Sequence, residues 1–263
     1  MLVSLPMYGV ELNDVEQFWQ ALRDKLVASG LDSLPAKLEW PDRLLGHWQE
    51  KDLLLSQTCG FPLVEFLPQV QLIGTFNYTA PGCNGPYYRS FLLARAEDSQ
   101  ATLADFRGRT VAFNSTDSQS GFNSLRALIA PLAENGKFFG DRLETGGHRH
   151  SLAAVQQGRA DIAAIDCVTL ELLRRYVPQE VEGLSIIGQT AAAPGLPLIT
   201  SASTSPEMLS ILRHAVTQTI AAPENQVLCE KLLIKGFTVL PREEYQVIHQ
   251  MRDAALQLGV SQL

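Results

Sequence analysis

Hydrophobic positions change their period repeatedly along this chain. Leu12, Val15, Phe18, Trp19, Leu22 and Leu26 recur every three or four residues. That spacing gathers them on one face of a helix, with Asn13 or Asp14 as its cap and Gly30 as a left-handed stop. Residues 52–56 (DLLLS) form a short apolar run that reads as a buried strand, and 57–60 (QTCG) as the loop at its carboxyl end. Further strands are predicted at 2–5, 87–95, 110–114, 160–166 and 184–188. Helices are predicted near 103–106, from Gly121 onwards with Phe122, Leu125, Leu128, Ile129 and Leu132 on one face, and at 151–157 and 168–176. Ser205 followed by Pro206 marks the cap and first turn of another, longer helix.

Alternating strands and helices predict an α/β fold with largely parallel sheets. Two segments interrupt the alternation: 79–86 (TAPGCNGP) and 191–197 (AAAPGLP), both turn-like in composition. A chain that leaves one lobe, builds a second and returns needs two such crossings. The expected architecture is therefore two α/β lobes, 1–82 plus 190–263 and 83–189, joined by two crossing segments with a ligand cleft between them.

Composition narrows the function classes. With 263 residues the chain can bury a large core, and 46% hydrophobic with 19% charged residues is ordinary for a globular protein. The net charge of −7, from 21 Lys+Arg against 28 Asp+Glu, gives no overall attraction for nucleic acid or anionic lipid. No nucleic-acid partner is expected, and an anionic ligand would need a local cradle. No apolar run is long enough to span a bilayer, so no membrane insertion is expected. Residues 1–8 (MLVSLPMY) lack the basic and long apolar regions of a signal peptide, so the chain as written reads as cytoplasmic. Cys59, Cys83, Cys167 and Cys229 are widely spaced and form no C-x-x-C pair. They are expected to be thiols packed as small hydrophobes.

Candidate chemistry concentrates in loops that precede helices. The loop Asn114, Ser115, Thr116, Asp117, Ser118, Gln119, Ser120 and Gly121 joins a strand to a helix start. Unpaired N–H groups and partial positive charge make such a start an anion site, with Ser118 and Ser120 adding hydroxyls and Gly121 allowing close approach. The same serines would equally serve as ordinary helix caps. Thr145, Gly146, Gly147 and His148 form a second loop of this kind, and His148 can donate to an anion. His148 and His150 do not share a helical face and lack further ligands nearby, so no metal site is expected. Asp166 ends a strand, where it would either read a ligand amine or hydroxyl or cap the next helix. Tyr8 and Tyr88 stand at strand margins, where a phenol both packs and donates. No G-x-S-x-G, Walker, G-x-G-x-x-G or H-E-x-x-H pattern occurs, which favours binding over catalysis and calls for no cofactor.

Four segments carry a family resemblance: 110–114 (TVAFN) with 118–121 (SQSG), 146–148 (GGH) with 151–155 and 158–164 (GRADIAA), 194–197 (PGLP), and 235–237 (KGF) with Tyr245 downstream. In these the chain resembles the phosphonate/phosphite/phosphate-type substrate-binding proteins of ABC transporters, which have the type II periplasmic binding protein fold. The resemblance implies a monomeric, exported protein that closes on a small anionic ligand and delivers it to an ABC permease. It places the ligand on Ser118, Gln119, Ser120, Gly121, Tyr8, Tyr88 and His148, with Asp166 as the acidic candidate and Gln57 and Cys59 facing the cleft from the first lobe. Gln119 stands where the family has Thr, and 198–205 (LITSASTS) has no carboxylate. The pyrimidine-forming proteins of thiamine biosynthesis are similar in architecture and use His and Cys chemistry. An enzyme of that kind, or a cytoplasmic ligand sensor, is the alternative reading.

Overall fold

The alternating pattern is realised in a computed structural model that describes residues 1–263. The first unit comprises Met1–Tyr87 and Pro194–Glu244, the second Tyr88–Ala193 and Tyr245–Leu263. In chain order the first unit opens with β1 (Leu2–Val3), α1 (Leu12–Ala28), α2 (Leu44–Trp48), β2 (Leu53–Gln57), α3 (Gly60–Glu65) and β3 (Gln71–Tyr78). After β4 (Tyr87–Tyr88), the second unit holds β5 (Ser90–Arg95), β6 (Thr110–Phe113), α4 (Ser124–Ile129), β7 (Asp141–Glu144) and α5 (His148–Gln156). It continues through β8 (Ile162–Asp166), α6 (Cys167–Tyr176) and β9 (Leu184–Gln189) to β10 (Ala193–Pro194), which is hydrogen-bonded to β4. The chain then returns to the first unit with β11 (Pro197–Thr200), α7 (Pro206–Ala221), α8 (Gln226–Lys231) and β12 (Ile234–Thr238), and ends with α9 (Gln246–Gln257) in the second.

Each unit is built on a five-stranded sheet, ordered β1-β2-β11-β3-β12 in the first and β7-β6-β8-β5-β9 in the second. Both sheets are mixed, which corrects the expectation of largely parallel ones. β11 runs antiparallel to β2 and β3, β12 antiparallel to β3, and β5 antiparallel to β8 and β9. A central strand covered on both faces reads as an apolar run whichever way it points, so composition carries no direction.

Five strands were not anticipated: β3, β7, β10, β11 and β12. β3 has Gly74 in its middle, ordinarily a weak strand residue. Here the Phe237 ring of β12 lies over the glycine, and a Cβ would come within 2.2 Å of its Cζ. β7 (DRLE) is an exposed, polar edge strand, recognisable only by its parallel pairing with β6.

The local signals at helix ends fared unevenly. Ser205 Oγ accepts from the Met208 N–H at 3.1 Å, and Gly30 has φ +89°, both as read from the sequence. Neither Asn13 nor Asp14 caps α1, which starts after Glu11; Asp14 is buried and accepts from Lys231 Nζ at 3.1 Å. The C-terminal segment also departs from the expected division. Residues 245–263 pack in the second unit, where Ala255, Val260 and Leu263 join a core with Phe122, Leu125, Ile129 and Ile162.

Candidate functional site

The second unit gathers five of the candidate residues into one cluster. β6 ends at Phe113, and the polar loop that follows closes on a helical turn at Gln119–Asn123 that is π rather than α, continuing directly into α4. Its wider ring is closed by the Asn123 N–H donating to the Ser118 carbonyl at 2.9 Å. π turns inside helices are enriched at functional sites. Ser118 is the N-cap, its Oγ accepting from the Gly121 N–H at 3.0 Å. The Ser120 carbonyl takes two hydroxyl donors, Ser90 and Ser124, each at 2.9 Å. Its side chain is thereby aimed by a backbone held from both sides.

His148 arrives from the neighbouring loop. Beyond β7 the chain stays hydrogen-bonded to the end of β6, through Thr145 N–H to Phe113 O and Gly146 N–H to Asn114 O, at 2.9 and 2.8 Å. Gly146 turns the chain with φ +82°, and Thr145 Oγ1 hydrogen-bonds Ser151 Oγ at 2.7 Å. His148 is thus the first residue of α5, with Nε2 2.9 Å from Ser120 Oγ and 3.4 Å from Asp166 Oδ2. Gly121 is packed against the same ring. A Cβ there would lie 1.9 Å from Asn114 Oδ1 and 3.2 Å from His148 Cε1.

Asp166 is itself 3% exposed and heavily used. Oδ1 accepts from the N–H groups of Val168 and Thr169 at 3.0 and 2.9 Å, and Oδ2 from the Thr169 hydroxyl at 2.5 Å. It caps α6 and at the same time sets a carboxylate beside the imidazole. Burial holds the His148 pKa below its ordinary value, with the Asp166 charge acting in the opposite sense. A neutral ring beside a carboxylate favours the proton on Nε2, which leaves Nδ1 as an acceptor. Nδ1 is buried and has no hydrogen-bonding partner within the protein.

This has a consequence for stability. His47, hydrogen-bonded to Ser4 Oγ at 2.8 Å, is also shifted downward by burial, against the pull of Glu39, Glu50 and Asp52. Below the ordinary imidazole value of 6.5 the unfolded chain takes up protons that the folded one refuses. Stability should therefore fall as the pH drops through that value towards the folded-state ones. Urea midpoints are expected to be lower at about pH 5.5 than at about pH 7.5, and the difference should shrink in a His47→Gln, His148→Gln chain. A midpoint unchanged between those conditions would contradict the buried neutral assignment.

The remaining candidates lie elsewhere. The Gln119 side chain turns away from the loop, accepting from Asn123 Nδ2 at 2.8 Å and donating to Met251 Sδ at 3.3 Å. In the first unit, Tyr8 packs edge-on against Tyr78, ring centroids 5.2 Å apart. Gln57 donates to Tyr78 Oη at 3.3 Å and to the Leu196 carbonyl at 3.4 Å. Cys59 is buried at the start of α3, and Tyr88 is buried in β4. Sequence reading placed Asn114 on the candidate loop but missed Tyr78, whose strand was not recognised, and Ser90 and Thr169. For Ser90 and Thr169 no local signal exists; one acts through a partner distant in sequence, the other through a second use of a cap.

No group of three or more His, Cys, Asp or Glu is placed to hold a metal ion, and no helix is long and apolar enough to cross a membrane. The arrangement also differs from a nucleophilic triad. Serine and carboxylate both meet the same nitrogen of His148, whereas relaying a proton needs them on opposite nitrogens. What the cluster provides is a set of hydroxyls, a helix start and an imidazole around one short loop.

The fold is shared with known proteins. A binding-protein component of an ABC phosphonate transporter from Pseudomonas aeruginosa is 18% identical, with a TM-score of 0.77 over 98% of this chain and 87% of that one. PhnD1 from Prochlorococcus marinus, solved with methylphosphonate, is 14% identical, with a TM-score of 0.75 over 96% and 97%. A Xanthomonas citri protein bound to ATP is 14% identical, with a TM-score of 0.70 over 98% of both chains. These likenesses show the fold, that of type II periplasmic binding proteins. No curated protein sequence matches the chain. Residues 52–245 match the family described as ABC transporter, phosphonate, periplasmic substrate-binding protein, and the chain belongs to that family of ligand-binding transport components.

Proposed function

We propose that the chain captures a small oxyanion of the phosphonate, phosphate or phosphite kind for uptake through an ABC permease. The observation that carries this reading is the convergence of Ser118, Ser120, Gly121 and His148 on one helix start. Hydroxyls and unpaired N–H groups at such a start supply charge-assisted hydrogen bonds to an anion without a neighbouring Lys or Arg. With Nε2–H pointing at Ser120 Oγ, the serine proton is left to donate to ligand.

The condition of Asp166 narrows the ligand. Its oxygens already accept three hydrogen bonds within the protein, in addition to facing His148. That supports a ligand without an amine, such as methylphosphonate, phosphite or phosphate, over an aminoalkylphosphonate. Calorimetric titration with these four anions is expected to give the tightest binding among the first three. Ser120→Ala combined with His148→Ala is expected to weaken the best of them by about 1.5–3 kcal/mol, through loss of the charge-assisted bond from Ser120 and of the imidazole N–H that directs it. Unchanged affinity in that double variant, or a clear preference for the aminoalkyl compound, would overturn the assignment.

A further inference from the structure

Gln119 was assigned to the ligand by position, yet its side chain is 1% exposed and spent inside the unit. It begins a buried polar ladder along one face of the helix. Asn123 Nδ2 donates both to Gln119 Oε1 at 2.8 Å and to the Ile248 carbonyl at 3.1 Å. Arg126 donates to Asn123 Oδ1 at 2.8 Å and to the Ser261 carbonyl at 3.0 Å, and its guanidinium lies over the Phe122 ring, 5.2 Å from the centroid. Gln119, Asn123 and Arg126 are all buried, and two of the rungs end on the backbone of the last nineteen residues, 245–263. Another arrangement of the turn would leave these buried donors and acceptors without the partners named, so the network favours one arrangement of the turn that carries it.

We propose that Gln119 is a positioning residue, which with Asn123 and Arg126 ties the π turn carrying Ser118, Ser120 and Gly121 to the C-terminal helix, so that α9 sets the geometry of the oxyanion loop. The proposal rests on the loop being the ligand site. A threonine at 119 is too short to reach Asn123 while keeping its hydroxyl at the loop. The substitution of Gln for Thr therefore exchanges one ligand donor for an internal tether.

The experiment uses the full chain and three variants: Gln119→Met, which keeps the volume but cannot accept from Asn123; Gln119→Thr; and Met251→Leu, which removes only a weak thioether acceptor. Two quantities are read. The first is the titration of the His148 ring by NMR without ligand, which reports whether Ser120 still meets Nε2. The second is calorimetric affinity for methylphosphonate. Both Gln119 variants are expected to move the His148 titration and to lose about tenfold in affinity, while Met251→Leu stays close to the parent. A role in stability alone would lower the melting temperature and leave the His148 titration of the folded protein in place, which overturns the proposal. Tighter binding by Gln119→Thr with an unmoved titration overturns it as well. Should the parent bind no oxyanion while the titration still moves, the ligand reading fails and the tether stands.

Discussion

Gly121→Ala is expected to remove oxyanion capture almost completely while leaving the fold in place. The added Cβ would sit 1.9 Å from Asn114 Oδ1, 3.0 Å from Asn114 Cγ and 3.2 Å from His148 Cε1. Neither neighbour is a loose surface chain. Asn114 Oδ1 is buried without a hydrogen-bonding partner, and the His148 ring is fixed between Ser120 and Asp166. Relief must come from moving Asn114, the ring or the π turn, and movement of the ring or the turn opens the Ser120–His148 contact. Overpacking of this kind costs about 1–3 kcal/mol in stability. A loss of binding of about 2–3 kcal/mol, roughly a hundredfold, is expected by calorimetry with methylphosphonate. The requirement for glycine here is steric, since Gly121 is not among the residues with positive φ. Gly46 supplies the contrast: it lies in α2 with nothing within 4 Å of a built Cβ. Gly46→Ala should leave binding unchanged and stabilise by up to about 1 kcal/mol. Equal affinities in the parent and Gly121→Ala would show that ligand does not sit on this loop.

The second large effect is expected at Asp166. Asp166→Ala removes the cap of α6, worth about 1 kcal/mol, and strands the Thr169 hydroxyl in a buried setting. A total loss of about 2–4 kcal/mol is expected in urea unfolding. Asp166→Asn keeps an acceptor for the helix start and should recover much of this. It also removes the one charge that raises the His148 pKa, so the ring should titrate still lower than in the parent. An Asp166→Ala protein within about 0.5 kcal/mol of the parent would mean that the cap is replaced, by water or by movement of the helix start.

Both substitutions act in a cluster where the sequence left several roles open. Ser118 and Ser120 were equally readable as caps or as anion donors, and the structure gives them different partners. Ser118 is the cap; Ser120 reaches His148. Asp166 was readable as cap or ligand group, and its hydrogen bonds make it a cap that also faces the imidazole. Gln119 could be placed on the right loop, but not on the right side of it. Its partner Met251 is 132 residues away, and nothing near position 119 announces that contact.

The alternation of strands and helices, the polar loop after β6 and the glycine–histidine loop before α5 were determined by the sequence itself. Each depends on period, turn residues or cap chemistry within a few neighbouring positions, and such signals survive in one dimension. Strand direction, the polar edge strand β7, the glycine-centred β3 and the return of 245–263 to the second unit were decided only by tertiary structure. There the controlling contacts join residues far apart in the chain: Phe237 over Gly74, β6 beside β7, Asn123 against Ile248. The site obeys the same division. The residue types that can hold an oxyanion were legible along the chain, but Ser120, His148 and Asp166 became one cluster only when β6, β7 and β8 were laid side by side in a single sheet.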